Sequence, residues 1–331
     1  MSYIAVIGAG SWGTTLACLL SDKGYDVSLW VHDATLAEKI KETRTNSTYL
    51  PDTIIPDNTK VTNNIEEALK RARYVLNAIP AQYVRAVFSE GIPYILEEAI
   101  IVSLSKGVER GTLLTVSSVL KELSDRPVAV LSGPSFAKEV IKRLPTAVTL
   151  AIEGRNSAYL LQEVFNINHF RVYTHDDIPG VEIGGALKNV MAIASGISDS
   201  LGLGNNARAS LITRGLAEMT RLGVAMGARE RTFSGLSGIG DLVLTCTSIL
   251  SRNYTVGTQL GQGKKISDIV KEMKYVAEGV TTAESAFELA KKFNVEMPIV
   301  EQVYNVIYED KDPLHAVKHL MERSLKTEFY E

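Results

Sequence analysis

The sequence predicts an α/β unit with a doubly wound parallel sheet, followed by an all-α unit. Up to residue 176, short apolar segments alternate with helical segments, which is typical of a parallel sheet with helices on both faces. Beyond residue 176 the strands give way to long helical stretches. We therefore predict two domains, a sheet domain at 1–176 and an all-α domain at 177–331.

Composition limits the kinds of partner. The chain has 331 residues, 45% hydrophobic and 22% charged, and a net charge of −3, so it has room for two cores but no general attraction to nucleic acid. It has only two cysteines, and shows neither a signal-peptide pattern nor an apolar run of about 18 residues. These features predict a cytoplasmic protein without membrane insertion, in which any site for an anion is built locally.

The first strand and helix carry a glycine motif. The apolar run Ile4–Ile7 passes directly into Gly8, Gly10 and Gly13 at the spacing G-x-G-x-x-G. Gly8 permits a sharp turn, Gly10 lets the backbone approach a pyrophosphate, and Gly13 lets the helix pack closely on the strand. The free N–H groups at the helix N-terminus add an anion site. The stretch predicts a Rossmann domain that binds NAD or NADP.

The end of the second strand, predicted at 27–31, bears on the choice of cofactor. An acid about 20 residues beyond the glycines holds the ribose hydroxyls of NAD, and a basic residue there accommodates the 2′-phosphate of NADP. His32 and Asp33 offer both signals, and an ordinary polar loop is the third interpretation. In the long loop at 44–58, Tyr49 either lies over the cofactor or belongs to a surface excursion.

Further strands are predicted at 74–79, 100–104, 128–131 and 147–152. In open parallel sheets, ligands bind beyond the carboxyl ends of the strands. Lys106 follows such an end on a short turn, where it is either a solvated surface lysine or a functional one. The turn with Gly133 and Ser135 is explained on its own by capping of the helix that follows.

The most apolar helix of the all-α domain is predicted at 181–201. Apolar residues cover nearly its whole circumference, so we expect it to be buried on most sides. Lys188 and Asn189 interrupt this pattern, and Lys188 either reaches solvent or points into a functional cavity. A desolvated ammonium near other cations has a lowered pKa and can exchange a proton with a ketone oxygen. The other helices are predicted at 205–227, 252–262, 267–274, 279–293 and 298–309.

Two later segments supply polar groups. Glycines surround Asp241 in SGIGDL, and Ser251-Arg252-Asn253 opens a helix. Serine or asparagine at a helix start is usually only a cap. Arg252 beside them makes a phosphate site credible, because a guanidinium adds its fork of donors to the free backbone N–H groups.

Seven motifs are spread over nearly the whole chain. They are GAGSWGTTLA (8–17), SKGVE (105–109), GPSFAKEV (133–140), EIGGALKNVMAIASGI (182–197), SGIGDLVLTCTS (237–248), SRN (251–253) and AEGVTTA (277–283). Together they resemble the NAD(P)-dependent glycerol-3-phosphate dehydrogenases of the bacterial type. GPSFA, EIGGALKNV and SGIGDL are specific to that family rather than general features of Rossmann domains.

The resemblance implies a reversible reduction of dihydroxyacetone phosphate to sn-glycerol 3-phosphate with NADH or NADPH, which feeds phospholipid synthesis. It implies that Lys188 donates and accepts the proton, with Lys106 and Asp241 beside the reacting oxygens. Together with the residues singled out above, the expected substrate-binding set is Lys106, Gly133, Ser135, Lys188, Asp241, Ser251, Arg252 and Asn253. The expected cofactor-binding set is Gly8, Gly10, Ser11, Trp12, Gly13, His32, Asp33, Tyr49, Lys106, Ala137, Arg252, Val276 and Glu278. We also expect a homodimer and no bound metal.

Two positions depart from the family pattern. Family members commonly have arginine near the position of His32, and more basic residues than Tyr254-Thr255-Val256 after SRN. Two other functions would use similar parts. A 3-hydroxy acid or ketopantoate reductase uses a helix lysine but does not need Arg252 as a phosphate anchor, and a non-catalytic redox sensor binds the dinucleotide without oxidising it.

Overall fold

Strand and helix alternate over the first half of the chain, as the sequence predicts. The computed structural model describes residues 3–273, 276–325 and 327–328. The strands are β1 (Tyr3–Ile7), β2 (Asp26–Trp30), β3 (Thr45–Asn46), β4 (Leu50–Ile54), β5 (Thr59–Thr62), β6 (Tyr74–Asn77), β7 (Ile100–Ser103), β8 (Val128–Ser132), β9 (Thr146–Ala151) and β10 (Phe170–His175). The helices between them are α1 (Ser11–Asp22), α2 (Ala34–Thr43), α3 (Ile65–Leu69), α4 (Val84–Gly91), α5 (Val116–Leu123), α6 (Ala137–Val140) and α7 (Arg155–Phe165).

Eight of these strands form one sheet in the order β10-β9-β8-β7-β6-β1-β2-β5. The strands β8, β7, β6, β1, β2 and β5, which are neighbours in that order, are all parallel. From β1 the chain adds β2 and β5 on one side, and it then returns to add β6, β7 and β8 on the other side, so the strand order reverses between β1 and β6. Such a switch point opens a crevice beyond the carboxyl ends of the strands. The glycine motif follows β1 directly and therefore lies at this crevice.

Alternate residues of β1 enter two cores. Ile4 and Val6 join the cluster packed beneath α1, whereas Ala5 and Ile7 join the cluster beneath α3, α4 and α5. A strand buried on both faces has a continuous apolar sequence rather than an alternating one. This explains why the apolar run before the glycines is unbroken.

The sheet differs from the prediction in three places. The strand predicted at 147–152 was expected to be parallel, but β9 runs antiparallel to β8, and β10 is parallel to β9. The connection from β8 to β9 contains only the four-residue helix α6, which does not carry the chain back across the sheet. The strands β5 and β10 were not predicted, and the segment predicted as a long loop at 44–58 contains the hairpin of β3 and β4.

The second half of the described chain is helical. Its helices are α8 (Ile178–Ser200), α9 (Gly204–Ala225), α10 (Asp241–Cys246), α11 (Arg252–Gly261), α12 (Ile266–Glu272), α13 (Glu278–Lys292), α14 (Pro298–Tyr308) and α15 (Pro313–Met321). A short π-helical turn, Leu236–Gly240, precedes α10. The end predicted for α12, residue 274, lies outside the described residues. Each described helix is too short or too polar to cross a membrane.

Helix α8 is the centre of this domain and is buried along almost its whole length, as its apolar circumference predicts. It crosses α11 at two glycines. A Cβ atom added at Gly196 would lie 2.1 Å from the carbonyl oxygen of Tyr254, and one added at Gly257 would lie 2.0 Å from that of Ile193. The two backbones can approach this closely only because both side chains are hydrogen atoms.

Three contacts bind α8 to the sheet domain as well. The buried carboxylate of Glu182 accepts hydrogen bonds from the backbone N–H (2.8 Å) and the hydroxyl (2.5 Å) of Ser117, at the N-terminus of α5. A Cβ at Gly185 would lie 2.5 Å from Oγ of Ser132, so α8 lies directly against the end of β8. The amide of Asn189 donates to the carbonyl of Lys106 (3.1 Å). The boundary predicted after residue 176 falls between β10 and α8, and it stays a prediction.

Candidate active site

The glycine loop has the shape that a dinucleotide site needs. Gly8 has a φ of +114°, which only glycine adopts readily, and a Cβ at Gly13 would lie 1.9 Å from the carbonyl oxygen of Gly8. At Gly10, by contrast, an added Cβ would meet no atom within 4 Å. No side chain caps the N-terminus of α1. The loop therefore presents open space and backbone donors at one place, which fits a bound pyrophosphate.

The hairpin segment holds this loop in place. Asn46 is buried, and its amide donates to the carbonyl of Ala9 (2.8 Å) and to the hydroxyl of Thr14 (2.9 Å). The hydroxyl of Ser11 donates to the carbonyl of Tyr49 (2.8 Å). The segment 44–58 thus supports the glycine loop from outside, with the backbone of Tyr49 beside the first turn of α1.

The end of β2 carries the two residues that bear on cofactor choice. Asp33 caps α2, because its carboxylate accepts the backbone N–H of Leu36 (2.8 Å). His32 is exposed, and its ring lies 5.6 Å from that of Trp30. The structure gives Asp33 a local role, while the ribose and phosphate roles stay predictions.

Two predicted cofactor residues lie in α1 or against it. The ring of Trp12 lies 6.2 Å from that of Phe170 in β10. The carbonyl of Ala137, at the start of α6, accepts a hydrogen bond from the hydroxyl of Thr15 (3.4 Å). Trp12 is therefore part of the helix that follows the glycine loop, and Ala137 contacts this helix.

Three charged side chains from separate elements meet at the base of the crevice. Lys188 of α8 donates from Nζ to Oδ1 of Asp241 (2.5 Å) and to the hydroxyl of Thr245 (2.7 Å). Lys106, which follows β7, donates from Nζ to Oδ2 of Asp241 (2.6 Å) and to the carbonyl of Gly133 (3.0 Å). Asp241 is thus shared by two ammonium groups. We call Lys188, Asp241 and Lys106 the lysine–aspartate cluster.

Burial and mutual proximity set the ionisation of this cluster. Desolvation lowers the pKa of Lys188 to about 8, against the opposing effect of Asp241 and with a further lowering by Lys106. Desolvation alone would raise the pKa of Asp241, but Lys106 and Lys188 together hold it below its usual value. The cluster therefore keeps a permanent carboxylate beside an ammonium that is ready to release its proton near neutral pH.

The turn after β8 lies at the same place. Gly133 has a φ of +133°, and the hydroxyl of Ser135 donates back to its carbonyl (2.9 Å). That carbonyl also accepts from Lys106. The turn is therefore in contact with the lysine–aspartate cluster, although the sequence pattern alone was explained by a helix cap.

The SRN segment opens α11. The hydroxyl of Ser251 caps the helix by accepting the N–H of Tyr254 (3.2 Å), and Oδ1 of Asn253 accepts the N–H of Gly279 at the start of α13 (2.9 Å). Arg252 donates from Nη1 to the carbonyl of Val276 (3.0 Å). The segment thus joins the N-termini of two helices at one place.

Glu278 lies between this segment and the sheet. Its Oε1 accepts the N–H of Ala81 (3.0 Å), whereas Oε2 is buried and has no hydrogen-bond partner among the described residues. Burial raises its pKa to about 7, opposed by the Ala81 N–H and by Arg252. A Cβ at Gly107 would lie 2.8 Å from Oε2. A donor on a bound ligand would satisfy this orphaned oxygen, which fits the predicted role in cofactor binding.

Comparisons with known proteins decide the family. Residues 3–158 match the model described as NAD-dependent glycerol-3-phosphate dehydrogenase N-terminus, and residues 177–318 match the model described as NAD-dependent glycerol-3-phosphate dehydrogenase C-terminus. The chain belongs to this family. The resemblance seen in the seven motifs is therefore confirmed.

Relatives in the glycerol-3-phosphate dehydrogenase family match over nearly full length. A glycerol-3-phosphate dehydrogenase (NAD(P)+) of Citrifermentans bemidjiense is 54% identical over 329 residues, which cover 98% of each chain. The crystal structure of glycerol-3-phosphate dehydrogenase from Coxiella burnetii has a TM-score of 0.94 at 40% identity and covers 97% of this chain and 99% of that chain. The enzyme of Saccharomyces cerevisiae has a TM-score of 0.83 at 28% identity, with 97% and 99% covered. The family assignment favours a dehydrogenase over the two alternative functions.

Three side chains of this glycerol-3-phosphate dehydrogenase site were missing from the predicted set. Thr245 accepts from Lys188, Asn189 donates to the carbonyl of Lys106, and Asn46 supports the glycine loop. Thr245 stands four residues after Asp241, so helical spacing places it on the same face. Asn189 was recognised only as a break in an apolar helix. For Asn46 the sequence offers no comparable signal.

Proposed function

We propose that Lys188 exchanges the proton when this chain reduces dihydroxyacetone phosphate to sn-glycerol 3-phosphate. The observation that carries the proposal is the burial of its ammonium against Asp241, Thr245 and Lys106, with a pKa lowered to about 8. General acids work best when their pKa lies near the operating pH. NADH or NADPH supplies the hydride for the carbonyl carbon when bound. Lys188 donates its proton to the former carbonyl oxygen, and the neutral amine regains a proton from solvent.

Asp241 and Lys106 have supporting parts in this mechanism. Asp241 keeps its negative charge and orients both ammonium groups through short contacts, which fixes the direction of Lys188. The cluster carries one net positive charge at neutral pH, because two ammonium groups share one carboxylate. That charge stabilises the negative charge that develops on the substrate oxygen. In the reverse direction, neutral Lys188 accepts the hydroxyl proton.

We infer that the SRN segment binds the phosphate of the substrate. Arg252 provides a guanidinium at the N-terminus of α11, where free backbone N–H groups and the helix dipole also favour an anion. The proposed substrate set is completed by Gly133, Ser135, Ser251 and Asn253. The chain's net charge of −3 gives no general attraction for this substrate, so a local basic group is required.

The proposed cofactor site combines the glycine loop with groups around it. Gly8, Gly10 and Gly13 give the backbone its shape, and the oxygen of Glu278 without a partner offers an acceptor. The proposed side-chain contacts also include Ser11, Trp12, His32, Asp33, Tyr49, Lys106, Ala137, Arg252 and Val276.

We further propose that the enzyme works as a homodimer in the cytoplasm and feeds phospholipid synthesis. Cys18 and Cys246 are both free and buried, which suits a reducing compartment, and light scattering would measure the oligomeric state.

Replacement of Lys188 by alanine tests the proposal. We expect kcat to fall by about 10²-fold or more, because the proton donor is lost, while the dissociation constant for NADH stays nearly unchanged. Lys142→Ala, at an exposed lysine, is the matched control and should keep its kcat. Near-normal turnover in a folded Lys188→Ala variant would remove Lys188 from the mechanism.

A further inference from the structure

A cavity of about 360 Å³ lies outside the substrate and cofactor sets described above. It is partly open to solvent and is bordered by β9, the end of β10 and the segment 229–237, and its walls include Thr149, His175, Arg229, Arg231 and Ser237. Its volume lies within the usual range for small-molecule sites. The cavity therefore has room for a ligand larger than a single water molecule.

Two arginines and two aspartates lie at or beside this cavity, but only one of the arginines pairs with an acid among the described residues. Arg229 pairs with Asp176, with 2.6 Å between Nη1 and Oδ1. Over the described part of the chain, no carboxylate lies within ion-pair distance of Arg231. The Nδ1 atom of His175 accepts the N–H of Asp177 (2.9 Å), which leaves Nε2 as the donor of the neutral ring. One guanidinium and one ring N–H are thus available to a ligand.

The second acid beside the cavity is already saturated. The carboxylate of Asp177 is buried and accepts hydrogen bonds from the N–H of Gly180 (3.1 Å), the N–H of Arg229 (2.9 Å) and the hydroxyl of Thr232 (2.5 Å). Two hydroxyls of the wall, those of Thr149 and Ser237, make no hydrogen bond to the described part of the chain. They add two neutral donors to the cationic ones, a combination that suits an oxyanion.

The cavity shares two of its walls with the lysine–aspartate cluster. Ser237 belongs to the π-helical turn that leads directly into Asp241. Thr149 is the strand partner of Ser132, the residue before Gly133, whose carbonyl accepts from Lys106. Because Asp241 contacts both lysines at short distances, a displacement of the turn that moved Asp241 would alter these contacts.

We propose that this cavity binds a small oxyanion with two or more negative charges, and that its binding lowers turnover by displacing Asp241. The kinetic test of this inference rests on the proposed function, whereas the binding test depends only on the cavity. Phosphate and carboxylate groups share the required chemistry, so inorganic phosphate and citrate serve as the two probes.

The kinetic experiment measures kcat for reduction of dihydroxyacetone phosphate by the full chain at saturating substrate and NADH, with ionic strength held constant. Added phosphate or citrate should lower kcat by about fivefold or more, because even a small misplacement of the groups that hold Lys188 slows the chemical step. Arg231→Gln should abolish the response, because it removes the unpaired cation. Arg171→Gln, at an exposed arginine on β10, is the matched control and should respond as the unaltered chain does.

The binding experiment is a calorimetric titration of the same three proteins with each probe, each protein also carrying Arg252→Ala so that the proposed substrate-phosphate site does not contribute. Binding should weaken by about tenfold in Arg231→Gln and stay unchanged in Arg171→Gln. A response to one probe only supports the proposal and identifies the group that is recognised. Inhibition that disappears at saturating substrate, or that persists in Arg231→Gln, would overturn it. An enzyme inactive before any anion is added would instead count against the proposed function, and the titration would still test the cavity.

Discussion

Two of the places that the molecule offers for negative charge, the glycine loop and the lysine–aspartate cluster, are built from different groups. The glycine loop uses backbone N–H groups and open space beside Gly10, all from one continuous stretch of chain. The lysine–aspartate cluster uses side chains from three elements far apart in sequence, buried together. Backbone donors do not titrate and cannot be deleted by shortening a side chain. The cluster, in contrast, depends on the protonation of Lys188 and on each partner remaining in place.

The largest expected difference between the two sites is in their response to pH. Above about pH 8, the protonated fraction of Lys188 falls about tenfold per pH unit, so kcat/KM for dihydroxyacetone phosphate reduction should fall in parallel. Oxidation of sn-glycerol 3-phosphate should instead decline below that pH, since it needs the neutral amine. NADH affinity should stay constant above about pH 8, because Glu278, with a pKa of about 7, is already ionised. Steady-state rates measure kcat/KM, and NADH fluorescence titrations measure NADH affinity. If the two quantities changed with pH in the same way, the proposed difference between the two sites would be wrong.

Replacement of Arg252 tests whether substrate binding depends on single side chains. Loss of one charge-assisted contact to phosphate should raise KM for dihydroxyacetone phosphate by about tenfold or more in Arg252→Ala. Unphosphorylated dihydroxyacetone should be nearly indifferent to the change, and Arg155→Ala, at an exposed arginine, is the matched control. Equal losses for both substrates would contradict the phosphate contact. NADH affinity is measured separately in the same variant, since Arg252 is also proposed to contact the cofactor.

Substitutions at two glycines test the other site of the comparison, the glycine loop. Gly10→Ala places its methyl group in open space, so stability should be unchanged while NADH affinity falls by about fivefold. Gly13→Ala places its methyl group 1.9 Å from the carbonyl oxygen of Gly8 and should destabilise the fold by about 1–3 kcal/mol. Thermal unfolding and NADH titration separate the two effects. If the Gly10→Ala variant were less stable but bound NADH with unchanged affinity, the pyrophosphate would not bind in the open space beside Gly10.

The smallest expected effect concerns His32. Its exposed imidazole lacks the permanent charge and fork of arginine, so both cofactors should work in the unaltered enzyme. His32→Arg should raise the ratio of kcat/KM for NADPH to that for NADH by about threefold or more. Paired assays with the two cofactors measure it. An unchanged ratio would show that the end of β2 does not face the ribose.

The comparison also explains what the sequence could predict. The glycine loop was predictable because its parts are contiguous, and the structure reproduces the steric reasons for Gly8 and Gly13. Lys188 was left open between a solvent-facing and a functional position, because its partner Asp241 lies 53 residues away and no local pattern joins them. The family resemblance, rather than spacing, brought the two together.

The errors in the sheet have a similar origin. The direction of β9 depends on how the chain crosses the sheet, which local alternation does not encode. β10 has the period-2 alternation of a half-exposed edge strand at Phe170–His175, so its signal was present in the sequence and was missed. β5 is four residues long and three of these residues are polar, and only its pairing with β2 identifies it as a strand.

The contacts of α8 with the sheet domain bear on whether the two halves of the chain can be expressed separately. A fragment that ended at residue 176 would leave the first turn of α5 without the carboxylate of Glu182 and would expose Val130, which packs on Val181. The complementary fragment would carry that buried carboxylate into water without its donors on Ser117. Separate expression of the two halves should therefore yield insoluble or unfolded material, whereas coexpression should recover an associated pair.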